Sequence, residues 1–399
     1  MTIRATLRWI LIAAQLVLAV MYASLLLSAH LPGDSDFVSF YTGWSIVLDG
    51  DATRIYDLEL QRSYQAQLLE PGQNPPRFEL LPFINPPHAA LAFAPFGYFP
   101  PAVSAWVFLG FNLIIAAWIM RRLWQLTAGW TRDARILLFT TILATEVFWY
   151  SLATRTLTIV VFAFLIEYYL ALRKRKDGRA AAWLIAATVK PQLILLPALI
   201  PFAQRRWRLA GVAAALGMIA LVAVSLLLGF QIWIAYFRLL REVSAHGEIY
   251  GATPLLMNNL RMILQRTVPA MAVSPLVYLA LFGGIAAVLW LWRSASDLDL
   301  RFGLTVLLGL LLAPHLNYQD TVVTILPVVI GYEFNRQKGT GFAPIFQVLM
   351  IVVSFLPAVL IFSGYGRTLR WVWPLPIMLV LLLLYARLLY VKDHHRIEP

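Results

Sequence analysis

The stretch AAAWLIAATVKPQLILLPALIPF, residues 180–202, decides how the chain is read. It is apolar enough to enter a bilayer, yet it lies between two basic clusters, RKRK at 173–176 and Arg205, Arg206 and Arg208. Lys and Arg collect on the cytoplasmic side of membrane helices, so both ends are expected there and the stretch does not cross once. The residue before a proline disfavours helix, which makes Lys190-Pro191 the break in a helical hairpin spanning 180–204. Its first arm of about ten residues rises roughly 15 Å, half of a hydrocarbon core of about 30 Å. A lysine at that depth needs an anion or a polar cavity.

The rest of the chain has the same character. Of 399 residues, 60% are hydrophobic and 13% charged, far from the balance of soluble domains. Apolar runs long enough to cross a bilayer recur throughout, without the alternation of a barrel. The fold class expected is an all-α polytopic membrane protein, a single integral domain over 1–399. The net charge of +12 sits at the ends of apolar runs and is read as topology, so nucleic acid is not expected as a partner. The chain has no cysteine, which excludes disulfides, thiolate metal sites and thiol nucleophiles.

Arg4 and Arg8 precede a run from Trp9 to about Ser28, read as an uncleaved first helix with a cytoplasmic N-terminus. Residues 29–100 then form an extracytoplasmic loop, acidic up to Pro82. Within it Phe37, Phe40, Tyr41, Trp44 and Val47 recur at helical spacing, Asp49-Gly50 supplies a stop, and a second helix runs from Asp57 to about Leu69. FINPPHAALAFAPFGYFPP returns to the membrane in proline-cut pieces, which must be buried in protein or line a cavity. Further spans are expected at 101–120, 134–150, 156–172, 209–229, 275–292, 302–314, 321–334 and 343–362, then a last one ending in a basic cytoplasmic tail. With the hairpin arms as two, this makes about twelve membrane helices.

Three polar groups fall at membrane boundaries or inside the bilayer: Asp34 and Asp36; Lys190; and His315 with Asn317, Tyr318 and Asp320. On this topology they converge toward one outward cavity, suited to a substrate with a hydroxyl to deprotonate and a phosphate to hold. Each has a plainer role. Asp34-Ser35-Asp36 can solvate a helix end, Lys190 can snorkel, and His315 and His88 can serve as polar helix ends. The aromatic stripe with Tyr41 can simply pack. Glu146 and Glu167 are read as structural, paired with Arg155 or with backbone. No phosphate-binding glycine loop, zinc spacing or nucleophile elbow is present, and no metal or other cofactor is indicated.

Asp36, Tyr41, Gly50 and Ile55-Tyr56-Asp57, followed by Asn85-Pro86-Pro87, Pro95 and Pro100, resemble the opening of glycosyltransferase family 87. Those are polytopic enzymes of the GT-C fold, including mycobacterial polyprenyl-phosphate-mannose-dependent mannosyltransferases. Lys190-Pro191-Gln192 resembles the family's Lys-Pro hairpin, and Ala313-Pro314-His315 its later histidine motif. The likeness runs in order from about residue 8 to about 335. Ala153-Thr154-Arg155-Thr156 stands where the family usually shows a Gly-Gln-Asn-like turn.

The resemblance implies transfer of a mannose-like hexose or a pentose from a polyprenyl-phosphate donor to a lipid or glycan acceptor. The reaction would invert configuration at the extracytoplasmic face of a bacterial inner membrane. It implies Asp36 as catalytic base, with Lys190 and His315 offsetting the charge that grows on the leaving phosphate; His315 is thus expected as a second catalytic residue, and Lys190, Asp34, Tyr41, Asn317, Tyr318 and His88 are the substrate-binding residues expected around it. A transporter or flippase of a lipid-linked solute is the competing class, and an inactive scaffold subunit a third. A transporter would show access from both sides and symmetric halves, whereas the polar groups here gather on one face.

Overall fold

A computed structural model describes residues 3–28, 35–70, 78–245, 255, 257–293, 297–363 and 372–394. Among the described residues the regular structure is all helical, with no strand. After α1 (Ile3–Ser28) come three short helices, α2 (Asp36–Leu48), α3 (Leu58–Leu69) and α4 (Pro87–Phe93). The long α5 (Pro101–Leu126) leads to α6 (Arg132–Ala144) and α7 (Glu146–Ala153), then α8 (Thr158–Arg173). The hairpin follows as α9 (Asp177–Ala186), three single 3-10 turns and the short α10 (Ile200–Ala203). Then come α11 (Trp207–Leu228), α12 (Gln231–Ala245), α13 (Leu260–Thr267), α14 (Ala270–Leu291) and α15 (Leu298–Leu312). A 3-10 segment, Tyr318–Thr324, opens into α16 (Ile325–Lys338), and α17 (Ala343–Phe362) and α18 (Pro374–His394) complete the chain.

Among the described residues five helices, α1, α5, α11, α14 and α17, are long and apolar enough to cross a membrane, and the pair α6 and α7, bent by 46° at Thr145, makes a sixth if it is one broken span. The protein is a multi-pass membrane protein. The reading of about twelve membrane helices also counted α8, the hairpin arms, α15, α16 and the last helix. Those segments are shorter or less apolar: α8, with 16 residues, is about 24 Å long. α8 is instead buried on nearly every side, as expected of a helix that is apolar all round. The five long helices turn much of their apolar surface outward, Leu226 of α11 being 81% exposed.

The segment from α2 to α4 is held by specific bonds. Asp57 caps α3, accepting from the backbone N–H groups of Glu59 and Leu60 at 3.0 and 3.1 Å, as an N-cap aspartate does. Gln61 and Gln65, one turn apart on α3 and buried, bind the proline-cut stretch before α4. Gln61 donates to the Ile55 carbonyl and accepts from the Phe83 N–H, both at 2.7 Å. Gln65 donates to the Leu81 carbonyl at 2.7 Å and accepts from its N–H at 3.1 Å. Backbone groups that no helix can pair are thus satisfied by side chains. The Tyr56 hydroxyl donates to the Asn85 carbonyl at 2.7 Å, joining two of the motifs read from sequence. α2 packs through Phe37 and Trp44, with Trp44 edge-on to Phe108 of α5 at 5.1 Å. A Cβ on Gly43 would come within 2.7 Å of the Phe83 ring, so only glycine lets these two segments approach.

The carboxylates of α7 and α8 are paired, but not with Arg155. Glu167 pairs with Arg122 and, at 4.0 Å, with Arg179, and Glu146 accepts from the Tyr318 hydroxyl at 3.1 Å. Arg155 meets neither. Its guanidinium donates to the carbonyls of Ala105 and Ala153 at 3.1 and 2.8 Å, because the turn after α7 holds it at φ 52 and directs it to α5.

Candidate functional site

The site is organised by the turn between α15 and α16. Asn317 caps the 3-10 segment in a reciprocal box with Asp320, the Asn317 N–H donating to Asp320 Oδ2 at 3.1 Å. This capping fixes the next residues so that Gln319 and Asp320 reach two different parts of the chain. Gln319 Nε2 donates to Asp36 Oδ2 at 2.8 Å, at the first turn of α2. Asp320 Oδ1 accepts from Lys190 Nζ, and from Thr158 Oγ1 at 2.5 Å. Lys190 Nζ also donates to Thr158 Oγ1 at 2.9 Å and Thr156 Oγ1 at 3.5 Å.

Lys190 and Asp320 are 5% and 0% exposed, so the ammonium that the sequence placed at depth has its anion within the protein. Lys190 stands at φ −137, ψ 75, between two 3-10 turns, which turns the hairpin tip toward α8 and the 318–324 segment. His88, at the start of α4, reaches the same tip, its Nε2 lying 3.0 Å from Thr188 Oγ1.

His315 lies half-buried in the loop after α15, outside the membrane-spanning helices. Asp320, Lys190, Asp36 and Arg261 all act on it electrostatically. Burial, the largest influence, pushes its imidazole below the ordinary range, and burial does the same to His88. Both rings are therefore neutral near pH 7.

The other residues singled out from sequence go elsewhere. The Tyr41 hydroxyl donates to the Phe99 carbonyl at 3.0 Å, tying α2 to the start of α5. Tyr318 points the other way from Gln319, donating to Glu146 and accepting from Trp373 Nε1 at 2.9 Å. Asn317 acts on the 3-10 segment that it caps. Asp34 lies outside the described residues. Among the described residues no group of His, Asp and Glu could hold a metal ion.

Asp36, Lys190 and His315 are brought together, with His88 beside the hairpin. Gln319, Thr156, Thr158 and Arg261 were missed, and Asp320 was noted but not recognised as the partner of Lys190. The demand of a buried lysine for an anion was the available signal for Asp320. Nothing in sequence pairs Gln319 with a carboxylate 283 positions away.

Beside this turn lies a cavity of about 50 Å³, bounded by α6, α16, α17 and α18 and lined mainly by apolar side chains such as Ile142, Val328, Met350 and Trp373. Thr321 and Val322, just after Asp320, form part of its wall.

Comparison with known proteins gives two results. Residues 83–314 match glycosyltransferase family 87, a segment that contains His88 and Lys190 but neither Asp36 nor the 315–320 turn. An alpha-(1->3)-arabinofuranosyltransferase of Mycobacterium tuberculosis, found in strains CDC 1551 / Oshkosh and ATCC 25618 / H37Rv, is 31% identical over 152 residues. That alignment covers 35% of this chain and 34% of the relative, so the chain spans about a third of the length of the curated relatives it matches. No solved structure matches. Because the family segment takes in more than half of the chain, the protein belongs to glycosyltransferase family 87.

Proposed function

We propose that the protein is a membrane glycosyltransferase that moves a sugar from a polyprenyl-phosphate donor to a lipid or glycan acceptor. The observation that carries this reading is that two consecutive residues, Gln319 and Asp320, bind Asp36 and Lys190 respectively. A carboxylate able to take a proton and a lysine whose charge Asp320 already balances are then held from one rigid turn. In the proposed step Asp36 takes the proton from the acceptor hydroxyl, whose oxygen bonds to the anomeric carbon. The bond from that carbon to the phosphate oxygen breaks, its electron pair leaves with the lipid phosphate, and configuration inverts. Pre-organised charge around a half-buried site is effective in such a step, since no solvent has to reorganise.

The relative is named for arabinofuranosyl transfer, which supports a pentofuranose beside a mannose-like hexose as the sugar. The topology that goes with the proposal has both termini cytoplasmic, about twelve membrane segments including the hairpin arms, and the site facing outward from a bacterial inner membrane. The proposed step requires neither nucleic acid nor metal. The test supplies the reconstituted protein with radiolabelled polyprenyl-phosphate sugars and a membrane lipid extract, then determines the anomeric configuration of the product. Transfer with inversion supports the proposal. Consumption of no donor, together with movement of labelled lipid between leaflets, would replace it with the flippase reading.

A further inference from the structure

Among the described residues, the charged groups that weigh most on His315 are Asp320, Lys190, Asp36 and Arg261, two acidic and two basic. One pair is already spent, since Lys190 is ion-paired with Asp320 in a buried, fully bonded arrangement. What remains is Asp36 and Arg261. If Asp36 were alone, the site would face an incoming phosphate with a net negative charge, which at close range is repulsive. Arg261 is the residue that changes that sum.

The fold puts Arg261 there by two independent bonds. The N–H of Asn258 donates to the Leu316 carbonyl at 3.0 Å. The buried Asn259 donates from Nδ2 to the Ala313 carbonyl at 2.9 Å while its Oδ1 accepts from the Met262 N–H at 3.2 Å. One side chain therefore caps α13 and fastens its first turn to the loop that carries His315. Arg261 follows two residues later, half-buried. Its one polar contact among the described residues is from Nη2 to the Ser244 carbonyl at 3.2 Å, and it forms no ion pair there. A guanidinium carries five N–H donors in a planar fork suited to phosphate oxygens, and this bond uses one. A cation in the first turn of a helix also opposes the helix dipole, and under the proposed topology an arginine on the outer side runs against the usual charge bias. Neither position favours Arg261 for folding.

We propose that Arg261 binds the phosphate of a lipid-borne substrate and stabilises it as the leaving group. Resting on the glycosyltransferase reading, the inference divides the work: Asp320 and the two threonines position Lys190 at the hairpin tip, while Arg261 supplies charge not cancelled within the protein. The donor phosphodiester carries one negative charge and the departing monoester about two, so an arginine fork gains strength as the bond breaks.

The experiment compares Arg261→Gln and Arg261→Lys with the parent in lipid nanodiscs. It measures direct binding of polyprenyl monophosphate by intrinsic tryptophan fluorescence, then KM for donor and for acceptor, and the melting temperature. The expected result for Arg261→Gln is at least tenfold weaker monophosphate binding, a raised donor KM, an unchanged acceptor KM and a melting temperature close to the parent. Arg261→Lys recovers part of the binding. Unchanged monophosphate binding in Arg261→Gln overturns the inference, as does a rise in acceptor KM alone, which would assign the arginine to an acceptor phosphate. A fall in melting temperature that Arg261→Lys does not correct also overturns it, by making the Ser244 contact the residue's purpose. Because binding is read directly, a parent that binds the monophosphate through Arg261 but transfers no sugar overturns the enzyme reading and not the site.

Discussion

Gln319 holds the Asp36 carboxylate through one hydrogen bond of 2.8 Å, from its amide to Oδ2. Asp36 Oδ1 is thereby aimed by a neutral donor. Hydrogen bonds to charged groups contribute about 1.5–3 kcal/mol, so Gln319→Leu is expected to lower kcat by about 10- to 100-fold with little change in donor KM. Gln319→Glu puts two carboxylates within hydrogen-bonding distance, where they share a proton. Its activity is expected to recover only at higher pH, a shift that steady-state rates between pH 6 and 9 would reveal. Equal loss at every pH would reduce Gln319 to a packing residue.

The buried pair of Lys190 and Asp320 makes a second prediction. Removing one member of a buried pair costs about 3–5 kcal/mol, whereas replacing both with apolar residues is often neutral. Lys190→Met should therefore lower the melting temperature sharply, and Lys190→Met with Asp320→Leu should restore much of it without restoring transfer. A double variant that transfers sugar at the parent rate would show that the pair serves folding alone.

What the sequence made legible follows from how each signal is encoded. Apolar runs and flanking basic residues are local, so the helical membrane character could be read directly, as could the start of α3 to within one residue and the stop at Gly50, which has φ 88. Which helices face outward was less legible. Hydropathy does not separate a helix facing lipid, such as α11, from one enclosed by protein, such as α8. Side-chain pairings were least legible, because they depend on tertiary geometry. Glu167 found Arg122 and Arg179, and Arg155 found two carbonyls. The partner of Lys190 was anticipated as an anion, but a substrate phosphate and Asp320 satisfy that need equally well on paper.

Burial lowers the pKa of both His88 and His315 from the ordinary 6.5, so between the folded and unfolded values the unfolded chain binds more protons. Stability from these residues is then present above about pH 6.5 and falls as pH drops through the window below it. Melting curves from pH 8 to pH 5 are expected to decline less steeply for His88→Gln than for the parent. An identical slope would mean that His88 takes up its proton in the folded protein as readily as in the unfolded chain.

The central claim is that Asp36 is the base, and its most direct measurement is sugar transfer by Asp36→Asn, reconstituted beside the parent and matched to it in melting temperature. Asparagine preserves the size of the side chain but cannot accept the acceptor's proton. The account predicts transfer by the parent and a loss of at least a thousandfold in the variant, with polyprenyl monophosphate still bound by both. Transfer by folded Asp36→Asn at near the parent rate would contradict it.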